Sequence, residues 1–162
     1  MPKITVQGLE DYERFLNNLG IEVEEVISEG VHRGAGEIAN EVRNQMRAIP
    51  TDEKWGTPNN PARGIKKIQK RGLFEGFGIS PERNDRGFIN VKIGFEGYNN
   101  AKSKRWPKGQ PNVMIARTLE KGTSFLIKYP FLKKAVNQSK RRAVEAAQAA
   151  IDEKIEELKR RT

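Results

Sequence analysis

The sequence has no cysteine and a single histidine in 162 residues. The first absence excludes a disulfide framework, a thiolate zinc site and a cysteine nucleophile, and suits a reducing compartment. The second leaves His32 without the companions that a metal site or an acid–base pair needs, so it reads as a surface residue beside Arg33. No apolar run exceeds the four residues Val113 to Ala116, too short for a membrane span. The opening Met-Pro-Lys-Ile-Thr-Val-Gln-Gly has no apolar stretch of signal-peptide length, so secretion by the usual signal is not expected.

Chemistry-bearing motifs are missing as well. There is no Gly-rich phosphate cradle, nucleophile elbow, His-Glu-x-x-His segment or calcium loop, and the glycines around Leu73 to Gly78 lack the Lys-Ser/Thr ending. Carboxylates are plentiful, but Glu24, Glu25, Asp152, Glu153, Glu156 and Glu157 fall on or beside helical polar faces, where solvation accounts for them. The expectation is no enzyme, no cofactor, no metal and no small-molecule substrate. A magnesium nuclease held by carboxylates is the one catalytic alternative, since such a site needs few fixed residues and no histidine.

What is present suffices for a fold. Leu, Ile, Val and Phe make up 38 of the 162 residues, above the roughly 20% below which disorder is the default. A chain of this length buries roughly 68 to 70% of its extended surface, so a single domain over residues 1–162 is expected. The charge is +9, with 30 basic and 21 acidic side chains, and it is uneven. Residues 1–50 carry −4, residues 51–121 carry +8 and residues 122–162 carry +5. Such polarity suits a molecule that meets one partner with its acidic N-terminal part and another with its basic middle, or meets copies of itself head to tail, although solvated faces alone also produce charge runs.

Periodicity supplies the elements. Ile4-Thr5-Val6 is β-prone, and Leu9, Tyr12, Phe15, Leu16 and Leu19 then stand at helical spacing before the capping Gly20. From Ile21 to Ile49 apolar residues recur at steps of three and four, giving a long amphipathic helix stopped by Pro50. Gly30, Gly34 and Gly36 inside it cost about 1 kcal/mol each relative to alanine, so they mark close packing or a kink. Leu73 to Ser80 and Phe88 to Phe95 read as two strands joined by the polar link Pro81 to Gly87, a hairpin. Phe131 to the C-terminus reads as one helix whose middle stripe is largely alanine. The fold class expected is α+β, a small antiparallel hairpin-based sheet packed against a long central helix and a long C-terminal helix.

Two basic stretches interrupt this pattern. Residues 51–72 read as a long irregular connection, with Lys66, Lys67, Lys70 and Arg71 suited to an arm that orders against a partner, or with Ile65 to Arg71 forming a helical turn. Residues 98–112 bracket Trp106 with Lys102, Lys104, Arg105 and Lys108. Rings among cations can stack on bases and neutralise phosphates, which makes a nucleic-acid-binding module the alternative reading. A loop tryptophan also serves to pin the loop to its own domain or to bury at a protein interface.

Glu120-Lys-Gly122-Thr123 followed by Pro130-Phe131-Leu132-Lys-Lys-Ala135 is the most specific pattern in the chain. Gly122 permits a sharp turn, while Pro130 and Phe131 open and anchor the last helix. Together with the opening Ile4-Thr-Val-Gln-Gly-Leu-Glu-Asp-Tyr, the helix ending at Pro50 and Gly72-Leu73-Phe74, this resembles the gene-product-ten-like family of head–tail joining or tail-completion (neck, minor tail) proteins of long-tailed bacteriophages. Two stretches depart from that pattern, the extended 51–72 connection and the Trp106 loop. The resemblance implies a structural virion protein of the neck or upper tail, made in the host cytoplasm. It further implies a ring oligomer with other neck and tail proteins as partners, the basic loops facing either DNA in the channel or an acidic neighbouring ring; the short apolar runs add the expectation of no membrane.

Overall fold

The computed structural model describes residues 23–161 together with Arg14 and Asn17. The expected Ile4–Val6 strand and the helix over Leu9 to Leu19 lie outside the described residues. The elements are α1 (Val23–Arg47), α2 (Lys67–Gly76), β1 (Phe77–Ile79), β2 (Arg83–Asp85), β3 (Phe88–Asn90), β4 (Ile93–Phe95), α3 (Asn112–Lys121) and α4 (Phe131–Arg161). The α+β class follows, with two long helices and two small two-stranded sheets among the described residues, β1 with β4 and β2 with β3. The chain falls into two compact units. Of the described residues, one takes those up to Ile38, Ile79–Ile93 and those from Ser139; the other takes Ala39–Gly78 and Gly94–Gln138.

In the first unit α1 and α4 pack through small residues. A Cβ on Gly30 would come within 2.7 Å of Ile151, and one on Gly34 within 3.1 Å of the Ala143 carbonyl, so these glycines permit close approach. Ala143, Ala147 and Ala150 are buried along α4 for the same reason. Gly36 meets nothing and has no such role. Val26 and Ile155 form a buried pair, with Val23, Ile151 and Leu158 around it. Lys154 adds an ion pair to Glu25 at 2.7 Å, which holds the Glu25 carboxyl below and the Lys154 ammonium above their ordinary ranges.

The hairpin of this unit differs in detail from expectation. β2 occupies part of what reads as a loop, pairing antiparallel with β3 in the register Arg83↔Asn90, Asn84↔Ile89 and Asp85↔Phe88. Only Arg86 and Gly87 turn, both at positive φ, 55° and 90°, the combination that suits the right-handed twist of a two-residue hairpin. The even alternation from Phe88 to Phe95 breaks into β3 and β4 because Ser80 N–H bonds the Lys92 carbonyl at 2.7 Å. With Arg83 opposite Asn90, the two residues Pro81 and Glu82 then face the single Val91, a bulge at which the missing proline N–H costs no ladder bond. The four residues from Leu73 to Gly76, expected as strand, are helical and end α2. Tertiary packing of Leu73, fully buried, outweighs local β preference there.

The second unit holds the larger apolar core: Val42, Met46, Ile49, Leu73, Ile115, Leu119 and Phe131, each at most 4% exposed. The Phe95 ring sits 5.3 Å from Phe77 and 6.0 Å, edge-on, from Phe131. Beyond α1 the chain is not a loose arm. Asp52 N–H bonds Ile65 O at 2.9 Å and Ile65 N–H bonds Pro50 O at 3.1 Å, closing residues 51–65 into an ordered loop.

Candidate interaction surfaces

The Glu120 to Ala135 pattern folds into a hydrogen-bonded corner between α3 and α4. The Glu120 carboxylate accepts Leu132 N–H at 2.9 Å on one oxygen and Lys133 N–H at 2.8 Å on the other. These are donors of the first turn of α4, which otherwise lack partners, and the anion sits at the positive end of the helix dipole. Gly122, at φ 71°, ends α3 with its N–H on Thr118 O at 2.8 Å, and a Cβ there would strike Lys128. The Thr123 hydroxyl oxygen accepts Phe125 N–H and Leu126 N–H at 3.2 and 3.1 Å. Pro130 accepts Lys134 N–H at 3.1 Å, Phe131 and Ala135 are fully buried and Leu132 is half-buried. The pattern is structural in every residue.

The cations of residues 66–71 have unlike environments. Lys66 precedes α2, its N–H on Gln69 Oε1 at 2.8 Å and its ammonium on the Glu53 carbonyl and 4.3 Å above the Trp55 ring. Lys67 is exposed, with its backbone N–H on Glu53 Oε1 at 3.0 Å. Lys70 is spent internally. Its ammonium donates to the Arg47 and Ile49 carbonyls, both at 2.8 Å, and so caps the C-terminal end of α1; burial lowers its pKa. Arg71 is exposed and pairs with Glu75 at 3.4 Å.

The 98–112 stretch is also ordered. Ser103 and Trp106 exchange backbone bonds at 3.0 and 3.1 Å, and Gly109 N–H bonds Trp106 O at 3.0 Å. Buried Asn99 accepts Ala101 and Gln110 N–H at 2.9 and 3.3 Å, and Gln69 Nε2 donates to Gln110 Oε1 at 2.6 Å. Trp106 is half-buried with the Arg105 guanidinium 5.8 Å from its ring, while Lys102, Lys104 and Lys108 point to solvent. The Trp106 backbone closes its loop, and its ring has the Arg105 guanidinium beside it.

Counted over the sequence, the second unit carries 17 basic and 6 acidic side chains, +11, and the first 13 and 15, −2. Three of the six acidic groups of the second unit accept backbone N–H groups: Asp52 accepts Lys54 and Arg63 N–H at 3.1 and 3.0 Å, Glu53 accepts Lys67 N–H, and Glu120 caps α4. Those N–H bonds hold the Asp52 carboxyl below its ordinary range, Arg63 contributing most. Lys102, Lys104, Lys108, Lys121 and Lys128 have no carboxylate within ion-pair distance among the described residues. The second unit therefore carries a clear excess of exposed positive charge.

Three features escape sequence reasoning. Trp55, Phe125 and Ile127 form an exposed apolar set on segments bridged by Ala62, whose N–H bonds Phe125 O at 2.8 Å and whose carbonyl accepts Ile127 N–H at 3.0 Å. The apolar run Phe125 to Ile127 was the available signal, but it suggests burial. His32 is exposed as expected yet does have a partner: Glu82 lies 2.9 Å from its Nε2, and the Ser28 hydroxyl donates to the same carboxylate oxygen. This joins α1 to the hairpin bulge. In the second unit the buried Asn99 Nδ2 and Asn112 Oδ1 have no hydrogen-bond partner among the described residues. Among the described residues no group of three or more acidic or histidine side chains is placed to hold a metal ion, and no helix is long and apolar enough to cross a membrane.

Comparison with protein families, curated proteins and solved structures finds no match to this chain.

Proposed function

We propose that this chain is a non-enzymatic structural protein of a tailed phage or prophage virion, joining or completing the tail at the head–tail interface as a subunit of a ring. The observation that carries the reading is the Glu120 to Ala135 corner. Every residue of the pattern that resembles the neck family has a structural task in it: Glu120 caps α4, Gly122 ends α3, Thr123 closes the turn and Phe131 fills the core. The uneven charge agrees. A subunit in a cyclic, heterologous interface presents two unlike complementary surfaces, and this chain has one unit at +11 and another at −2. The partners under this reading are neighbouring copies and other neck and tail proteins.

Electron microscopy of lysates from the parent phage with this reading frame interrupted tests the role. Filled heads beside unattached or malformed tails are expected. Normal infectious particles would overturn it.

A second reading, a nucleic-acid-binding module, is favoured by the half-buried Trp106 with Arg105 over its ring and Lys102, Lys104 and Lys108 exposed around it. Phosphate binding of that kind weakens with added salt, by a slope of about −0.9 per phosphate contacted on duplex DNA. Absence of duplex binding near physiological salt would reject it.

A further inference from the structure

The loop 51–65 and the segment 123–127 turn three large apolar side chains to solvent, Trp55 at 67% exposure, Phe125 at 54% and Ile127 at 47%. Looseness does not explain this exposure. Both segments are tied to Ala62, itself 6% exposed, by the two backbone bonds that bracket it, and Thr123 closes the turn beneath Phe125. Single exposed apolar residues need no explanation, but three on one hydrogen-bonded platform do.

The rim of the platform is cationic. Lys66 stands over the Trp55 ring, and Lys54, Arg63 and Lys128 adjoin Trp55, Ala62 and Ile127 in the chain. The two local carboxylates, Asp52 and Glu53, are held on backbone N–H groups of Lys54, Arg63 and Lys67, where they turn their charge toward the loop's own amides. Asp52 offsets part of the Lys54 and Lys66 charge, but four cations against two carboxylates leave the edge net positive, and an apolar centre with a net cationic edge is the pattern of a protein-binding hot spot with electrostatic selection at its rim. Phosphate backbone would use the cations but leave Phe125 and Ile127 wet, since its contacts are polar.

We infer that this platform docks an acidic protein surface, one that presents an apolar side chain at its centre and carboxylates around it. The inference stands on the Trp55 platform alone and holds whether or not the chain belongs to a virion.

A display library of short random peptides, selected on the full chain and counter-selected on a Trp55→Ala/Phe125→Ala double variant, tests it. Both side chains are exposed, so the double variant should melt with the wild type; Ile127→Glu serves as an independent second variant. Enriched peptides are expected to combine Asp or Glu with Leu, Phe or Trp. The leading peptide, once synthesised, should bind the wild type about tenfold more tightly than either variant. It should also shift the Trp55 emission to shorter wavelength in a Trp106→Phe chain, and bind a Lys54→Glu/Lys66→Glu variant more weakly. No enrichment, enrichment of peptides without carboxylates, or equal binding to the variants would overturn the inference. So would self-association of the wild type that the double variant abolishes, which assigns the platform to a second copy, or a short DNA duplex that shifts Trp55 emission near physiological salt.

Discussion

Replacing Glu120 with alanine removes both acceptors at the start of α4. Leu132 N–H and Lys133 N–H, bonded at 2.9 and 2.8 Å in the native chain, revert to unpaired donors of a first helical turn. Losing a side-chain cap costs about 1 to 2 kcal/mol, and losing an anion at the helix N-terminus adds about 0.3 to 1 kcal/mol. The expected total is about 2 kcal/mol. For a chain of this size each kcal/mol moves the melting temperature by about 2 to 4 °C, so Glu120→Ala should melt about 4 to 8 °C below wild type. Glu120→Gln keeps one carbonyl acceptor without the charge and should lose about half as much. Far-UV circular dichroism on heating, repeated as urea titrations, reads both variants. If Glu120→Ala melts with the wild type, the corner is not what holds the start of α4, and the structural reading of the Glu120 to Ala135 pattern fails with it.

Phe131→Ala empties a fully buried ring site and should cost about 3 to 5 kcal/mol in urea unfolding; unchanged stability would remove Phe131 as the anchor. In α1 the glycines separate. Gly36→Ala meets nothing and should stabilise the chain by about 0.5 to 1 kcal/mol, whereas Gly30→Ala collides with Ile151 and should lower the melting temperature. The Asp52 carboxyl is held below its ordinary range by the Arg63 and Lys54 N–H groups. Its contribution to loop order is therefore present above the unfolded-state pKa and lost as pH falls through the lowered folded value. The Arg63 amide resonance should accordingly titrate below the range of a free aspartate, and a midpoint at or above that range would contradict the hydrogen bond. Lys70→Met removes the donor to the Arg47 and Ile49 carbonyls and should destabilise the chain, which a merely DNA-facing lysine would not do.

The long helices were legible because each buries a stripe with the period of its own backbone. Val31, Ala35, Ile38, Val42 and Met46 recur at steps of three and four in the sequence and are all buried in α1. Which of Gly30, Gly34 and Gly36 serve close packing was not legible, since that depends on where α4 passes, whereas Phe131 as an anchor followed from its place after Pro130. The hairpin was legible only in outline. Local alternation continues evenly through Ile89, Val91 and Ile93, and the break between β3 and β4 is imposed from the opposite strand, where Pro81 and Glu82 share one partner. The site was less visible still. Whether Phe125 and Ile127 are buried depends on the bridge each makes with Ala62, far away in the chain. Nothing in a run of lysines distinguishes Lys70, turned onto helix carbonyls, from Lys67, turned to water.

The central claim, a structural part of a tailed virion, is tested most directly on purified particles of the parent phage. Gold-labelled antibody against this chain should mark the head–tail junction in electron micrographs, and the chain should be present in every particle at a fixed ratio to the major tail protein. Particles that are fully infectious and contain none of it would contradict the account.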